Sequence, residues 1–225
     1  MMQPAKQLDK LFETAMLSFR QADDARIEGL RWSIAKNEMP RGKITPRDLA
    51  ALFGETQSWA EDQFTELRAT GFIEHKLTHF EWGQYQSQEI RKDFDFLMAL
   101  EAIVILELTK VQQNKLAKIF TPIEAMQAPG GQKICALSLC FRAQSTLTSL
   151  IAHIGEAELF LLYSNVARPA IVYAWASALN DEMLTAVSRN TECLIKALSD
   201  GDCQAAIDLH SNIRSSYPRT PTAQS

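Results

Sequence analysis

The sequence predicts a mainly α protein, with an N-terminal winged helix-turn-helix followed by a C-terminal all-α helical bundle. Three observations lead there. Apolar residues recur at helical spacing over most of the 225 residues. One stretch, 45–71, spells two short helices and their caps across a tight turn. A single stretch, 72–82, alternates apolar and polar residues as a small hairpin does.

Leu8, Leu11, Phe12, Ala15 and Phe19 share one face of a first helix. A second helix is expected over 24–36, with Ile27, Leu30, Arg31 and Ile34 on its inner side. NEMPRGK then breaks the pattern with Pro40 and Gly42. Thr45-Pro46-Arg47-Asp48 supplies a hydroxyl cap, a proline at the first helical position and a carboxylate at the third. Leu49, Leu52 and Phe53 give this helix its apolar side, and Gly54 closes it. After Glu55, Thr56 and Gln57 a further helix is expected to open at Ser58-Trp59-Ala60-Glu61, an S-x-x-E capping box. It carries Ala60, Phe64 and Leu67 inward and stops before Gly71. Two short helices across a tight turn follow the helix-turn-helix plan, and FIEHKLTHFEW (72–82) would be the wing.

From residue 86 onward the sequence reads as helices alone. A long apolar helix covers QEIRKDFDFLMALEAIVILELTKV, a shorter one NKLAKIFTPIEAMQA, and PGGQ breaks the chain. Helices are then expected over about 133–153, 156–177 with a kink at Pro169, 180–198 and 202–213, the last opened by SDGD. The expected organisation is a helical extension at 1–23, the winged head at 24–84, the helical domain at 85–215 and a polar tail at 216–225.

Composition narrows the function. A net charge of −4 argues against a nonspecific nucleic-acid coater, since such a protein needs a broad basic surface. The hydrophobic fraction of 46% and charged fraction of 22% are those of an ordinary globular protein. Cys135, Cys140, Cys193 and Cys203 form no CxxC pair and read as buried thiols in a reducing compartment. The amphipathic, charged start is not a signal peptide, and no apolar run is long enough to cross a membrane, so a cytoplasmic location is expected. Nucleotide-binding, zinc-protease and serine-hydrolase motifs are missing. Glu101 and Glu107 lie six apart and share a helix face poorly, so paired-carboxylate chemistry is a poor fit and no enzyme is expected. Trp32, Phe80, Trp82 and Trp175 read as packing residues.

RDLAALFGETQSWAEDQFTELRATGFIE resembles the DNA-binding head of GntR-family regulators. The match is gapless from Leu49 to Ile73, with Leu49, Ala50, Gly54, Leu67, Gly71 and Phe72 at framework positions. DFDFLMALEA, SLIAHIGEAEL and LIKALSDGDCQAAIDLH are similar to segments of the FadR-like helical effector domain, the FCD type. The resemblance covers about residues 24–214 and implies a homodimer. Its helical domains would bind a small metabolite, and the second helix of each head would enter the major groove of a double-stranded operator. Thr45, Arg47, Thr56, Gln57, Ser58 and Glu61 around the turn, with Lys76 and His79 on the wing, are the DNA contacts it implies.

The pattern also departs from that family. Arg47 matches a DNA-reading arginine, but Gln57 and Glu61 stand where the family usually places two more. Glu61 has two readings, as the capping partner of Ser58 or as a carboxylate facing the groove. Between residues 41 and 76 five bases meet six acids. An interaction module with weakened or lost DNA binding is therefore the alternative. In the helical domain, relatives hold a metal through one aspartate and three histidines. Those positions fall here on Ala143 and Leu147 (or Leu137 and Phe141) and near Thr191 and Ile213, so no metal or other cofactor is expected. Leu97 replaces an arginine that greets acidic metabolites. The remaining effector-binding candidates are an apolar Phe, Leu and Met lining, an anion site at Arg142 or Arg168, and His153. His153 and His210 read as lone surface or core-edge histidines.

Overall fold

The structure is a computed structural model that describes residues 25–85, 88–108, 136–154 and 157–216. The expected helices near residues 8–19 and 114–128, the PGGQ break, Cys135 and the C-terminal tail lie outside the described residues. Within them the chain is mainly helical, with nine helices and one three-stranded sheet. Two compact units share it. One takes the described residues of Asp9–Ile90 together with Arg168–Ser177, and the other those of Arg91–Ala167 and Ala178–Ser225.

The first unit opens with α1 (Ala25–Ala35), which buries Ile27, Leu30, Arg31 and Ile34 as its period predicts. The turn after it contains Asn37, a left-handed residue with φ 55° whose side-chain oxygen accepts from the Tyr85 backbone N–H at 2.8 Å. Asparagine tolerates that conformation better than most residues. Strand β1 (Lys43–Ile44) leads into α2 (Pro46–Phe53). Here the expected cap is present in full: the Thr45 hydroxyl accepts from the Asp48 N–H, and the Asp48 carboxylate accepts from the Thr45 N–H at 2.8 Å. Those hydrogen bonds also hold the Asp48 pKa below its ordinary value. Gly54, at φ 67°, closes the helix.

The next helix corrects one expectation. α3 spans Gln57–Ala69, and its cap is Thr56, whose hydroxyl accepts from the Trp59 N–H at 3.3 Å. Ser58 is an exposed residue inside the first turn and makes no S-x-x-E box. The turn is thus two residues shorter than the Ser58 reading gives, because Thr56 can supply the same hydroxyl earlier. Ala60, Phe64 and Leu67 face inward as expected. Strands β2 (Ile73–Lys76) and β3 (His79–Trp82) form the wing hairpin. Phe80 lies opposite both His75 and Ile44, and the sheet runs β1-β3-β2.

In the second unit, α4 (Gln88–Leu108, from Arg91 onward), α5 (Ala136–Ile154), α6 (Ala157–Val166), α8 (Asp181–Asp200) and α9 (Cys203–Ser215) are all helical. α8 packs on α9 and on α5. Asn180 caps α8 through the Met183 N–H, and Asp202 caps α9 through the Ala205 N–H. Gly201, at φ 73°, makes the turn between them.

The single helix expected over 156–177 is two helices. α6 stops at Val166, and α7 (Pro169–Ala178) begins anew. Proline disfavours helical geometry in the residue before it and suits a first helical position, so Pro169 starts a helix instead of kinking one. α7 also changes allegiance. Although its sequence lies inside 85–215, Arg168–Ser177 packs with the head. The Ala170 N–H donates to the Thr70 carbonyl at 3.1 Å, and Ala170 to Ala176 are all buried.

Candidate nucleic-acid interface and the polar centre of the bundle

The head exposes the face that a helix-turn-helix needs. Leu49, Ala60, Phe64, Leu67, Phe72 and Ile73 are buried, and this core fixes α2 and α3 across the Gly54–Thr56 turn. The exposed side of α3 carries Gln57, Ser58, Glu61, Asp62, Thr65 and Arg68. Gln57 and Glu61 are joined: the Gln57 Nε2 donates to the Glu61 Oε1 at 3.0 Å. Arg47 is exposed on α2, as are Arg41 and Lys43 just before it. Thr45 and Thr56 spend their hydroxyls on helix caps.

The wing's bases are already matched. Lys76 donates to Glu74 at 2.6 Å, and the His79 ring meets Glu81 at 2.7 Å. Arg68 lies 4.5 Å over the Phe80 ring. Leu77 at the wing tip is fully exposed.

A second polar cluster, missed by the sequence reading, fills the middle of the helical unit. Glu101 of α4 is buried and receives four donors. Arg214 of α9 grips it through Nε at 2.8 Å and Nη2 at 2.5 Å. The His210 Nε2 lies 2.9 Å from it, and the Tyr163 hydroxyl of α6 donates at 2.5 Å. Since a carboxylate only accepts, His210 carries a proton on Nε2. Gln144 of α5 closes the ring, donating to Tyr163 at 2.7 Å and accepting from Arg214 at 2.9 Å.

Burial alone would raise the Glu101 pKa. The Arg214 guanidinium and the hydrogen bonds from His210 and Arg214 outweigh it and hold the carboxyl at about 2. Burial and the neighbouring Glu101 push the Tyr163 hydroxyl well above its usual value. For Arg214, burial works against the charge, and Glu101 more than restores it. His210 is therefore a core member of an ion network, not the lone edge histidine expected. Glu101 is buried while Glu107 on the same helix is exposed, so the two acids do not act as a pair.

The expected effector-binding residues Arg142 and Arg168 belong to different units. The Arg142 Nη1 donates to Glu192 at 3.3 Å, while its Nε has no hydrogen-bond partner. Arg168 belongs to the head unit, where its Cδ and Cβ crowd the Cα of Gly71: a Cβ there would stand 3.2 and 3.3 Å from them. The His153 side chain lies outside the described residues. Leu97, Leu137, Ala143, Leu147, Thr191 and Ile213 are buried, and none offers the nitrogen or carboxylate oxygen that a metal of the implied type needs. Among the described residues no three histidine, cysteine, aspartate or glutamate side chains gather as a metal-ligand set. Of the described cysteines only Cys140 is buried, and Cys193 is exposed, which corrects the expectation of buried thiols throughout. Among the described residues no helix is long and apolar enough to cross a membrane.

No protein-family model matches the chain, and no curated protein matches it in sequence. Solved structures do match in fold. Lar, described as controlling the expression of the Listeria monocytogenes agr system, aligns at a TM-score of 0.57 and 12% identity. The alignment covers 84% of this chain and 90% of that one. E. coli McbR/YncC aligns at 0.51 and 11% identity, over 84% and 91% of the two chains. A Streptococcus agalactiae protein named GntR aligns at 0.34 and 16% identity, over 84% and 95%, too low a score to bear on the fold.

Proposed function

We propose that the chain is a cytoplasmic, DNA-binding transcription regulator of the GntR type, not an enzyme, that reads its operator as a homodimer and answers to a small metabolite. The observation that carries this reading is the capped helix-turn-helix beside a three-stranded wing, with α3 presenting a polar exposed face. The fold likeness to Lar, itself described as controlling expression, is consistent with it. Arg41, Lys43 and Arg47 are the exposed bases that meet backbone phosphates, and Arg47 is the principal one. With three bases per head, a dimer would neutralise up to about six phosphates, giving a log–log salt slope near −5.

In the helical unit, Arg142 is the best remaining anion contact of the expected set, because its Nε–H is unpaired beside Glu192. This reading of the helical unit needs no metal.

One observation favours a different reading. Lys76 and His79 are matched by Glu74 and Glu81, and Glu61 and Asp62 are both exposed on α3. Such a surface suits a protein partner as well as a groove. Fluorescence anisotropy of duplex binding over a salt series separates the two. A regulator binds with a steep salt slope that falls by about 2 when Arg47→Ala removes one phosphate contact per head. Absence of binding at low salt contradicts the DNA reading.

A further inference from the structure

We propose that Gln57 and Glu61 determine the operator specificity of the head by reading an adenine and a nearby cytosine in the major groove, with guanine rejected at the Glu61 position. The inference rests on the DNA-binding reading above. Both residues are exposed on one face of α3, one helical turn apart, directly after the Thr56 cap. Their hydrogen bond of 3.0 Å orients the glutamine, because a carboxylate can face only the amide nitrogen. The Gln57 amide oxygen and its second N–H then remain to face outward, together with the Glu61 Oε2.

Those free groups match some base edges and oppose others. Adenine offers a donor at N6 beside an acceptor at N7, the complement of an amide. Cytosine offers the N4 donor with no acceptor beside it, which suits a carboxylate. Adenine is a worse match for Glu61, since the N7 lone pair faces the second oxygen. Guanine and thymine present acceptors and repel it. From Gln57 to Leu67 the helix has no lysine or arginine, so this turn holds no group that could grip guanine bidentately. The helix rises about 6 Å between the two residues, against about 3.4 Å per base pair, so the contacted pairs lie within two steps of each other.

Selection from randomised duplexes by the full-length protein tests this. Adenine and cytosine within two steps are expected in each half-site. Exchanging that C·G pair for G·C should weaken binding about tenfold to a hundredfold. The variant Glu61→Arg should select guanine where the native protein selects cytosine, and Glu61→Gln should move the preference to adenine. Circular dichroism confirms that each variant folds, and the two substitutions report independently should one fail. If all proteins select the same bases, the assignment of Glu61 is overturned while the DNA-binding reading stands. If the native protein enriches no sequence and shows no salt-dependent duplex binding, both fall together.

Discussion

The Tyr173 hydroxyl donates to both carboxylate oxygens of Glu28, at 3.0 and 2.8 Å, although the residues lie 145 positions apart. Its ring meets Trp32 and Phe72 edge-on, with centroids 5.3 and 5.1 Å away. Glu28 in turn contacts Arg31, and Arg31 pairs with Glu66 on α3. A short helix drawn from the later part of the chain thus completes the core of the head.

Removing that hydroxyl should loosen the head. Hydrogen bonds to charged groups contribute on the order of 1.5–3 kcal/mol, and this one is partly buried. Tyr173→Phe is expected to speed amide exchange throughout α1 and the β2–β3 hairpin by a matching factor. Exchange rates equal to the native ones would show that the contact contributes nothing.

The two caps of α3 can be told apart by stability. Thr56→Ala is expected to cost about 1 kcal/mol, the usual loss for an N-cap hydroxyl. Ser58→Ala should be neutral within about 0.5 kcal/mol, because Ser58 is an exposed first-turn residue. Urea titration of the two variants decides it, and a larger loss at Ser58 would restore the S-x-x-E reading.

The buried ion network should respond asymmetrically to substitution. Arg214→Met leaves the Glu101 charge buried with fewer donors and should destabilise the helical unit by about 3–5 kcal/mol. Glu101→Leu combined with Arg214→Met removes both charges and should recover much of that loss. A double variant as unstable as the single one would mean that packing, not charge, dominates the site.

The same network sets an acid limb. The Glu101 pKa is depressed in the folded state, to about 2, so its contribution is complete above the unfolded carboxyl value. It is lost as pH falls from about 4.5 towards 2 and amounts to about 3 kcal/mol. Glu101→Gln should flatten this part of the stability-against-pH curve, measured by urea titration at each pH. An unchanged slope would assign the acid limb to other carboxylates.

Local signals made the head legible. Thr45, Pro46, Asp48 and Gly54 each state one end of α2 in the sequence, and all four do what their chemistry suggests. Arg31 fell on the inner face of α1 by period alone and is indeed buried, because Glu66 supplies its partner. What stayed hidden depends on residues far apart in the chain. Glu101, Gln144, Tyr163, His210 and Arg214 come from four helices, and apart from His210 and Arg214, one turn apart on α9, no spacing links them. The placement of α7 was equally hidden. PAIVYAWASA is apolar on all sides, so its sequence requires burial without naming the unit that provides it.

The most direct test of the regulator account is selection of genomic DNA fragments by the purified full-length protein at two salt concentrations. The account predicts recovery of a palindromic site with half-sites about one helical turn apart or closer, and weaker recovery at the higher salt. Equal recovery of all fragments at both salts, or of none, would contradict it and favour a head that meets a protein.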